Sequence, residues 1–301
     1  MRLKYAALLA SVLALAVAGL LVANRGLATD APLADGDATG HYKEPREVGD
    51  AAAEAMAEVV RSVTAPGRRA DGAGRPEALR ASRPPVAAEA APSAAVGPLF
   101  YTAQGAPAHG CTASVVHSPG QDLVVTAAHC VYMDGFRTDL AFVPGYQDGT
   151  APYGVWVPTS IDVAPEWAEN RDPDHDVAFL RVRPATGNTP LERVTGAQRV
   201  RFGSPAALPA RVLGYPNAGE RPVACENATE SESRTQLRFA CEGLPNGTSG
   251  SPFLTDVDPA TGLGTLVGVL GGKDEGGDEE TSYSPYFGDA IERLYRRATT
   301  R

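Results

Sequence analysis

The sequence predicts an all-β fold, and three observations carry that prediction. Glycine (32) and proline (25) are abundant among the 301 residues, which sets turns at short intervals. Patterns with a helical period are confined to two short stretches. From Gly97 onward the apolar residues fall into short runs between turn residues, the texture of strands in a sandwich or a pair of barrels.

The strand-like runs come in two sets. The first comprises Ala113 to Val116, Leu123 to Thr126, Leu140 to Pro144, Gly154 to Val157 and Val177 to Val182. The second comprises Ala210 to Tyr215, Gln236 to Phe239, Pro252 to Leu254 and Leu263 to Leu270. The last run, Gly288 to Ala298, instead spaces Ile291, Leu294 and Tyr295 at helical intervals, with Asp289 near its start and Arg296 and Arg297 near its end. Charges of those signs at those ends complement the helix dipole, so a C-terminal helix over 288–298 is predicted.

Upstream of this body the composition changes twice. Arg2 and Lys4 precede Tyr5 to Ala23, a stretch of about 19 residues without a charge. Residues 1–28 therefore read as an export signal removed on secretion, with a retained membrane anchor at the cell surface as the alternative. Residues 29–95 are rich in Ala, Pro and Gly and have no aromatic after Tyr42. That composition predicts a segment that buries little, either the propeptide of a zymogen or a linker. Within it Asp50 to Val63 is predicted to form one amphipathic helix, with Ala53, Met56, Val59 and Val60 on a common face. The folded body is expected at 96–301.

The net charge of −9 is unevenly placed. Residues 1–95 hold 11 acidic and 11 basic side chains, and residues 96–301 hold 25 and 16. A surface of that sign repels phosphate backbones and suits a polypeptide partner, so no nucleic-acid partner is expected.

Four cysteines in an exported chain should pair, and proximity suggests Cys111 with Cys130 and Cys225 with Cys241. A metal site is not expected, because no cysteine pair has CxxC spacing and no histidine pair flanks one. Beside Cys130 stands His129, delivered by the apolar run from Leu123, where an imidazole next to a staple is held in place. Such a group takes and returns protons near neutral pH. Ser249 lies between Gly247 and Gly250 in a turn leading into a strand, which exposes its hydroxyl and turns amide N–H groups inward. An imidazole base needs a carboxylate on its other nitrogen. Asp172, Asp174 and Asp176 all precede the run from Val177, and Asp176, adjoining it, is expected to be the most buried.

Thr126-Ala-Ala-His129-Cys130, Asp176-Val-Ala-Phe-Leu and Gly247-Thr-Ser249-Gly250-Ser-Pro252 resemble, in order, the three signatures of the chymotrypsin-like (trypsin-like) serine peptidases. The likeness spans about Gly97 to Ala298. Gly-Ser-Pro, Gly214-Tyr215-Pro216 and the C-terminal helix resemble the bacterial glutamyl-endopeptidase-like branch. The resemblance implies two six-stranded antiparallel barrels, about 97–190 and 191–287, with the site in the cleft between them. It implies catalysis by His129, Asp176 and Ser249 through an acyl-enzyme, an oxyanion hole from the Gly247 and Ser249 amides, no cofactor, and a monomeric secreted endopeptidase. A non-catalytic homologue that kept the fold as a binding module is the rival reading.

Two departures from the pattern matter. Thr248 stands where pancreatic-type members carry an aspartate that pairs with a new N-terminus, so activation by that ion pair is not expected. Leu270, Gly271, Gly272 and Lys273 would line the specificity pocket, and Leu270 stands where glutamate-specific members place a histidine. Strict glutamate preference is therefore not expected. The acidic run Asp274 to Glu280 reads as a solvated loop, with weak calcium binding as the alternative.

Overall fold

A computed structural model of the chain describes residues 33–63, 78–103 and 105–301. The export signal expected over 1–28 lies outside the described residues. Among the described residues no helix is long and apolar enough to cross a membrane.

The chain lays down β1 (His41–Lys43) and α1 (Arg46–Val59), then β2 (Val96–Tyr101), β3 (Ala108–Val116), β4 (Leu123–Thr126), β5 (Leu140–Phe142), β6 (Trp156–Val163) and β7 (Ala178–Pro184). Strands β2 to β7 form a closed antiparallel barrel of order β7-β4-β3-β2-β5-β6, shut by the β6–β7 ladder. Its interior is filled by Leu99, Val115, Val124, Phe142, Ile161 and Leu180 with the Cys111–Cys130 disulfide.

The second half contributes β8 (Pro209–Gly214), β9 (Val223–Ser231), β10 (Gln236–Ala240), β11 (Pro252–Thr255), β12 (Thr265–Val269) and β13 (Thr281–Pro285), and α2 (Asp289–Thr300) ends the chain. The six strands run β12-β11-β8-β9-β10-β13. The two ends of that sheet are brought together where Gly271 N donates to Tyr283 O (3.0 Å) and Val269 N to Ser284 Oγ (2.9 Å). The second disulfide, Cys225–Cys241, lies in this core with Val212, Phe239 and Phe253. The fold is thus the expected chymotrypsin-like all-β body with its C-terminal helix. Ile291, Leu294 and Ala298 of α2 bury against both halves, touching a cluster that includes Val125, Phe179, Leu254 and Leu266.

Nine predicted runs match barrel strands, and three of the twelve barrel strands, β2, β9 and β13, were not predicted. In β9 the inward positions of the buried end are Cys225 and Thr229, and in β13 they are Ser282 and Ser284. Their alternation has the strand period, yet small side chains fill the inner face, with the Thr229 and Ser284 hydroxyls hydrogen-bonded and Cys225 in a disulfide. In β2, Gly97 and Pro98 interrupt the pattern.

The largest correction concerns residues 29–95. Their described part does not run free of the body: β1 adds to β6 through Ser160↔Lys43, Ile161↔Tyr42 and Asp162↔His41, on the stretch that β5 leaves unpaired. Tyr42 stacks on Phe136 with ring centroids 5.4 Å apart. The predicted helix exists but begins at Arg46, and it buries Gly49, Ala52 and Met56 while Val59 is 40% exposed. Small residues at 49 and 52 let it lie close on the barrel, where Met56 enters a cluster with Val143, Val157 and Tyr215. Low aromatic content limits what a segment can bury alone, but here the barrel supplies the apolar partner. Releasing residues 33–62 as a propeptide would uncover that surface. Met56→Ala is accordingly expected to destabilise the protein by about 2–5 kcal/mol. Urea unfolding checks this, and an unchanged midpoint would mean that α1 lies outside the cooperative unit.

Candidate active site

His129 sits on a single 3-10 turn, Ala128–Cys130, at the end of β4. The following residue is bridged to Cys111 in β3, so the turn is anchored on both sides. Asp176 closes another 3-10 turn, Pro173–His175, just before β7, and is fully buried. Pairing of β4 with β7 in the register Ala178↔Thr126 places these two turns side by side.

The result is a doubly bonded pair. Asp176 Oδ2 accepts from His129 Nδ1 at 2.8 Å, and Asp176 Oδ1 accepts from the His129 backbone N–H at 2.9 Å. Gly272 N donates to Asp176 Oδ2 at 2.7 Å. A carboxylate with three such donors is held in one orientation, and it assigns the Nδ1 proton of the imidazole. Burial by itself disfavours the His129 imidazolium, but the charge and hydrogen bond of Asp176 favour it, with a smaller contribution from Glu275, and together they outweigh burial. His129 therefore titrates above the ordinary imidazole value.

Ser249 lies in the turn before β11, and its turn packs on the strand that leads to His129. A Cβ added to Gly250 (φ 82°) would meet Thr112 O at 2.1 Å, Thr126 Oγ1 at 2.2 Å and Ala127 N at 3.1 Å. Gly247 is equally confined: at φ 99° its added Cβ would stand 2.1 Å from Asn217 N. The carbonyl of Asn246 accepts from Asn217 N (2.9 Å) and that of Thr248 from Ser251 N (3.0 Å). In a trans peptide the N–H points opposite to its carbonyl, so the Gly247 and Ser249 amides face away from these bonds. Neither donates to an acceptor among the described residues. Ser249 Oγ and His129 Nε2 are not hydrogen-bonded to each other.

Beside Ser249 opens a cavity of about 260 Å³ lined by Leu244, Asn246, Leu270, Glu275, Asp278 and Glu279 among others. Of the four residues expected to line a specificity pocket, Leu270 borders this cavity. The other three are turned to different partners: Gly271 faces Asp176 Oδ2, which an added Cβ would approach to 2.8 Å, and Gly272 binds that carboxylate. Lys273 Nζ pairs with Glu232 at 2.5 Å and lies over the Tyr283 ring. The correction follows from the chain path, since Asp274 and Glu275 take left-handed backbone angles (φ 53° and 54°) and swing the acidic loop toward the cavity. No lining residue is cationic.

Asp172 and Asp174 are half-buried; Asp172 bonds to His175, and Asp174 to Gln236. Gln236 was invisible to sequence reasoning, although its Nε2 donates to Pro173 O (2.9 Å) and its Oε1 accepts from Lys273 N (3.2 Å). It ties the turn bearing Asp176 to the segment bearing Gly272, and only a conserved contact across two distant strands would have announced it. Glu275 was present in the acidic run, but nothing in that run says that one carboxylate acts on His129.

Cys111, His129 and Cys130 bring three ligand-type atoms within 4.8 Å. The two sulfurs are bonded to each other, so neither is a free thiolate for a metal.

Comparisons with known proteins agree with this architecture. The protease Anisep from Arthrobacter nicotinovorans superposes with a TM-score of 0.63 at 26% identity, over 72% of this chain and all (100%) of that one. A thermostable serine protease, AL20, from an extremophilic microorganism gives 0.60 at 24%, over 69% and 98%. A Glu endopeptidase gives 0.56 at 18%, over 72% and 97%. The last two likenesses bear on the fold alone. A Bacillus subtilis (strain 168) protein named extracellular metalloprotease is 30% identical over 110 residues, 36% of this chain and 34% of that protein, so the chain spans about a third of this relative's length. The family model for the trypsin-like peptidase domain matches residues 111–269, just over half of the 301 residues and the stretch that holds His129, Asp176 and Ser249. Fold and matched stretch together place the chain in the trypsin-like peptidase family.

Proposed function

We propose that Ser249 is the nucleophile of an acyl-enzyme mechanism in which His129 is the general base and acid and Asp176 orients it. The observation that carries this reading is the doubly bonded His129–Asp176 pair beside a glycine-flanked serine with two uncommitted amides. An imidazole whose Nδ1–H is held by a buried carboxylate keeps its Nε2 lone pair for a hydroxyl proton.

On this reading Ser249 Oγ adds to the scissile carbonyl while its proton passes to His129 Nε2. The carbonyl oxygen becomes negative between the Gly247 and Ser249 N–H groups, which need not reorganise to meet it. The imidazolium then protonates the leaving amine as the C–N bond breaks. Water, giving its proton to the same nitrogen, releases the acyl group, and Ser249 recovers its hydrogen. The bond from Oγ to Nε2, not formed in the free enzyme, tightens when substrate fills the cleft. The substrates are polypeptides, cut by a monomer exported through residues 1–28. Strict glutamate preference is not part of the reading, because no cation lines the cavity at Ser249.

Fluorophosphonate labelling of the secreted, oxidised protein tests the assignment. Label should enter the parent and be absent from Ser249→Ala. Label that persists in the variant, or that never enters the correctly folded parent, sinks the proposal; the second outcome would favour the non-catalytic homologue. Mass spectrometry of the N-terminus separates a removed leader from an anchor.

The pH profile supplies a further expected result. His129 must be neutral to act as base, so activity is present above its raised pKa and lost as pH falls through it. Glu275→Gln removes a negative charge that favours the imidazolium, which lowers that pKa. The acid limb of kcat/KM should move to lower pH, more so at low salt because Glu275 is exposed. A limb that stays in place would mean that Glu275 does not act on His129.

A further inference from the structure

Four consecutive carbonyls shape the turn that carries Ser249. Those of Asn246 and Thr248 are held by Asn217 and Ser251, both from the second half of the chain. The other two are held by one residue of the first barrel. Thr112 Oγ1 donates to Gly247 O at 3.0 Å, and Thr112 N donates to Ser249 O at 2.7 Å.

The hydroxyl is committed on its other side as well, since it accepts from Tyr215 N at 2.8 Å at the end of β8. Thr112 O in turn accepts from Thr126 Oγ1 at 2.8 Å, three residues before His129. Its chain neighbour Cys111 is bridged to the residue that follows His129. Thr112 is fully buried and bordered by the glycine that follows Ser249. It thus stands where the base-bearing strand of one barrel meets the nucleophile turn of the other.

We propose that the Thr112 hydroxyl is a positioning group that sets the Gly247–Ser249 turn in register with His129. The inference rests on the reading of Ser249 as nucleophile and of the Gly247 and Ser249 amides as the oxyanion site. Thr112 touches neither substrate nor the reacting atoms. With Gly247 O released, the peptide unit between Gly247 and Thr248 is free to rotate, and the two amides on either side of it lose their common aim. Ground-state binding of the peptide does not depend on that aim, whereas the tetrahedral oxygen does.

The test is Thr112→Val in the full chain, which keeps the shape and removes the hydroxyl. The expected result is a fall in kcat of about 10- to 100-fold with little change in KM. Affinity for a peptide boronic acid, which forms a tetrahedral adduct on the serine, should fall in step. Thr112→Ser, which restores the hydroxyl without the methyl, should recover most of both. Where Thr112→Val folds poorly, Thr112→Ala offers the same loss without crowding and should show the same split between kcat and KM. A parent-like kcat in Thr112→Val overturns the proposal. So does a loss that Thr112→Ser fails to rescue, because that would mark the methyl and its packing as the cause. If Ser249→Ala is inactive while Thr112→Val is unimpaired, only the inference about Thr112 falls. If Ser249→Ala retains activity, the reading beneath it falls first.

Discussion

Replacement of Ser249 by alanine is expected to lower kcat by about 10⁵- to 10⁶-fold, the scale of loss when a nucleophile of this kind is removed. On the proposed mechanism the loss is large because His129 and Asp176 then have no hydroxyl to activate, and the two amides can bind an oxyanion only if water attacks unaided. Stability should barely move. The Ser249 side chain makes no hydrogen bond to the described residues, and the turn is held by its backbone carbonyls through Thr112, Asn217 and Ser251. Progress curves on a peptide amide, with thermal unfolding alongside, check both halves. A variant that turns over at the parent rate would place the nucleophile elsewhere. One that is inactive because it is unfolded would point to the turn, not the hydroxyl, as the cause.

The second large effect is expected at Asp176→Asn, with kcat reduced by about 10⁴-fold at neutral pH. The carboxylate accepts three bonds, two on Oδ2 and one on Oδ1, and every donor is an N–H. An amide offers one acceptor oxygen and one NH₂ group. If NH₂ takes the Oδ2 position it opposes both His129 Nδ1–H and Gly272 N–H; if it takes the Oδ1 position it opposes the His129 backbone N–H. In the first arrangement the imidazole is driven to the tautomer with its proton on Nε2, where it cannot accept from Ser249. Burial prevents water from relieving the conflict. Loss of the negative charge also leaves only the smaller effect of Glu275 to offset burial of the imidazolium, so the acid limb of the residual activity should fall below the parent's. Residual activity within about tenfold of the parent would show that orientation by Asp176 contributes little.

How much of this was legible in advance varies from residue to residue. Cys111, Cys130, Cys225 and Cys241 pair as proximity suggested. Histidine, aspartate and serine each stood at the edge of an apolar run, and such runs are the part of a β fold that periodicity reveals. Strands β9 and β13 were silent because Cys225, Thr229, Ser282 and Ser284 carry little or no hydrophobic signal even when fully enclosed. Gln236 and Thr112 were silent for a related reason: a polar side chain announces nothing until its partners, 37 to 135 positions away, are known.

The N-terminal segment shows the same limit from the opposite side. Its composition correctly indicated one short helix around Met56, since the spacing of apolar residues is a local property. Its composition could not indicate that β1 would complete an open edge of β6, or that a helix with glycine and alanine on its inner face would lie close to a barrel. By itself, then, the sequence determined the all-β class and the C-terminal helix, and it suggested the cysteine pairing and the candidate side chains, all of which are written in local pattern or in residue type. Only the tertiary structure decided which groups meet: that Asp176 faces His129 while Asp172 does not, that Glu275 and not Lys273 borders the cavity, and that Thr112 holds the turn bearing Ser249. Hydrogen bonds and charges act over a few ångströms in space, and separation along the chain carries almost no information about that distance until the barrels close.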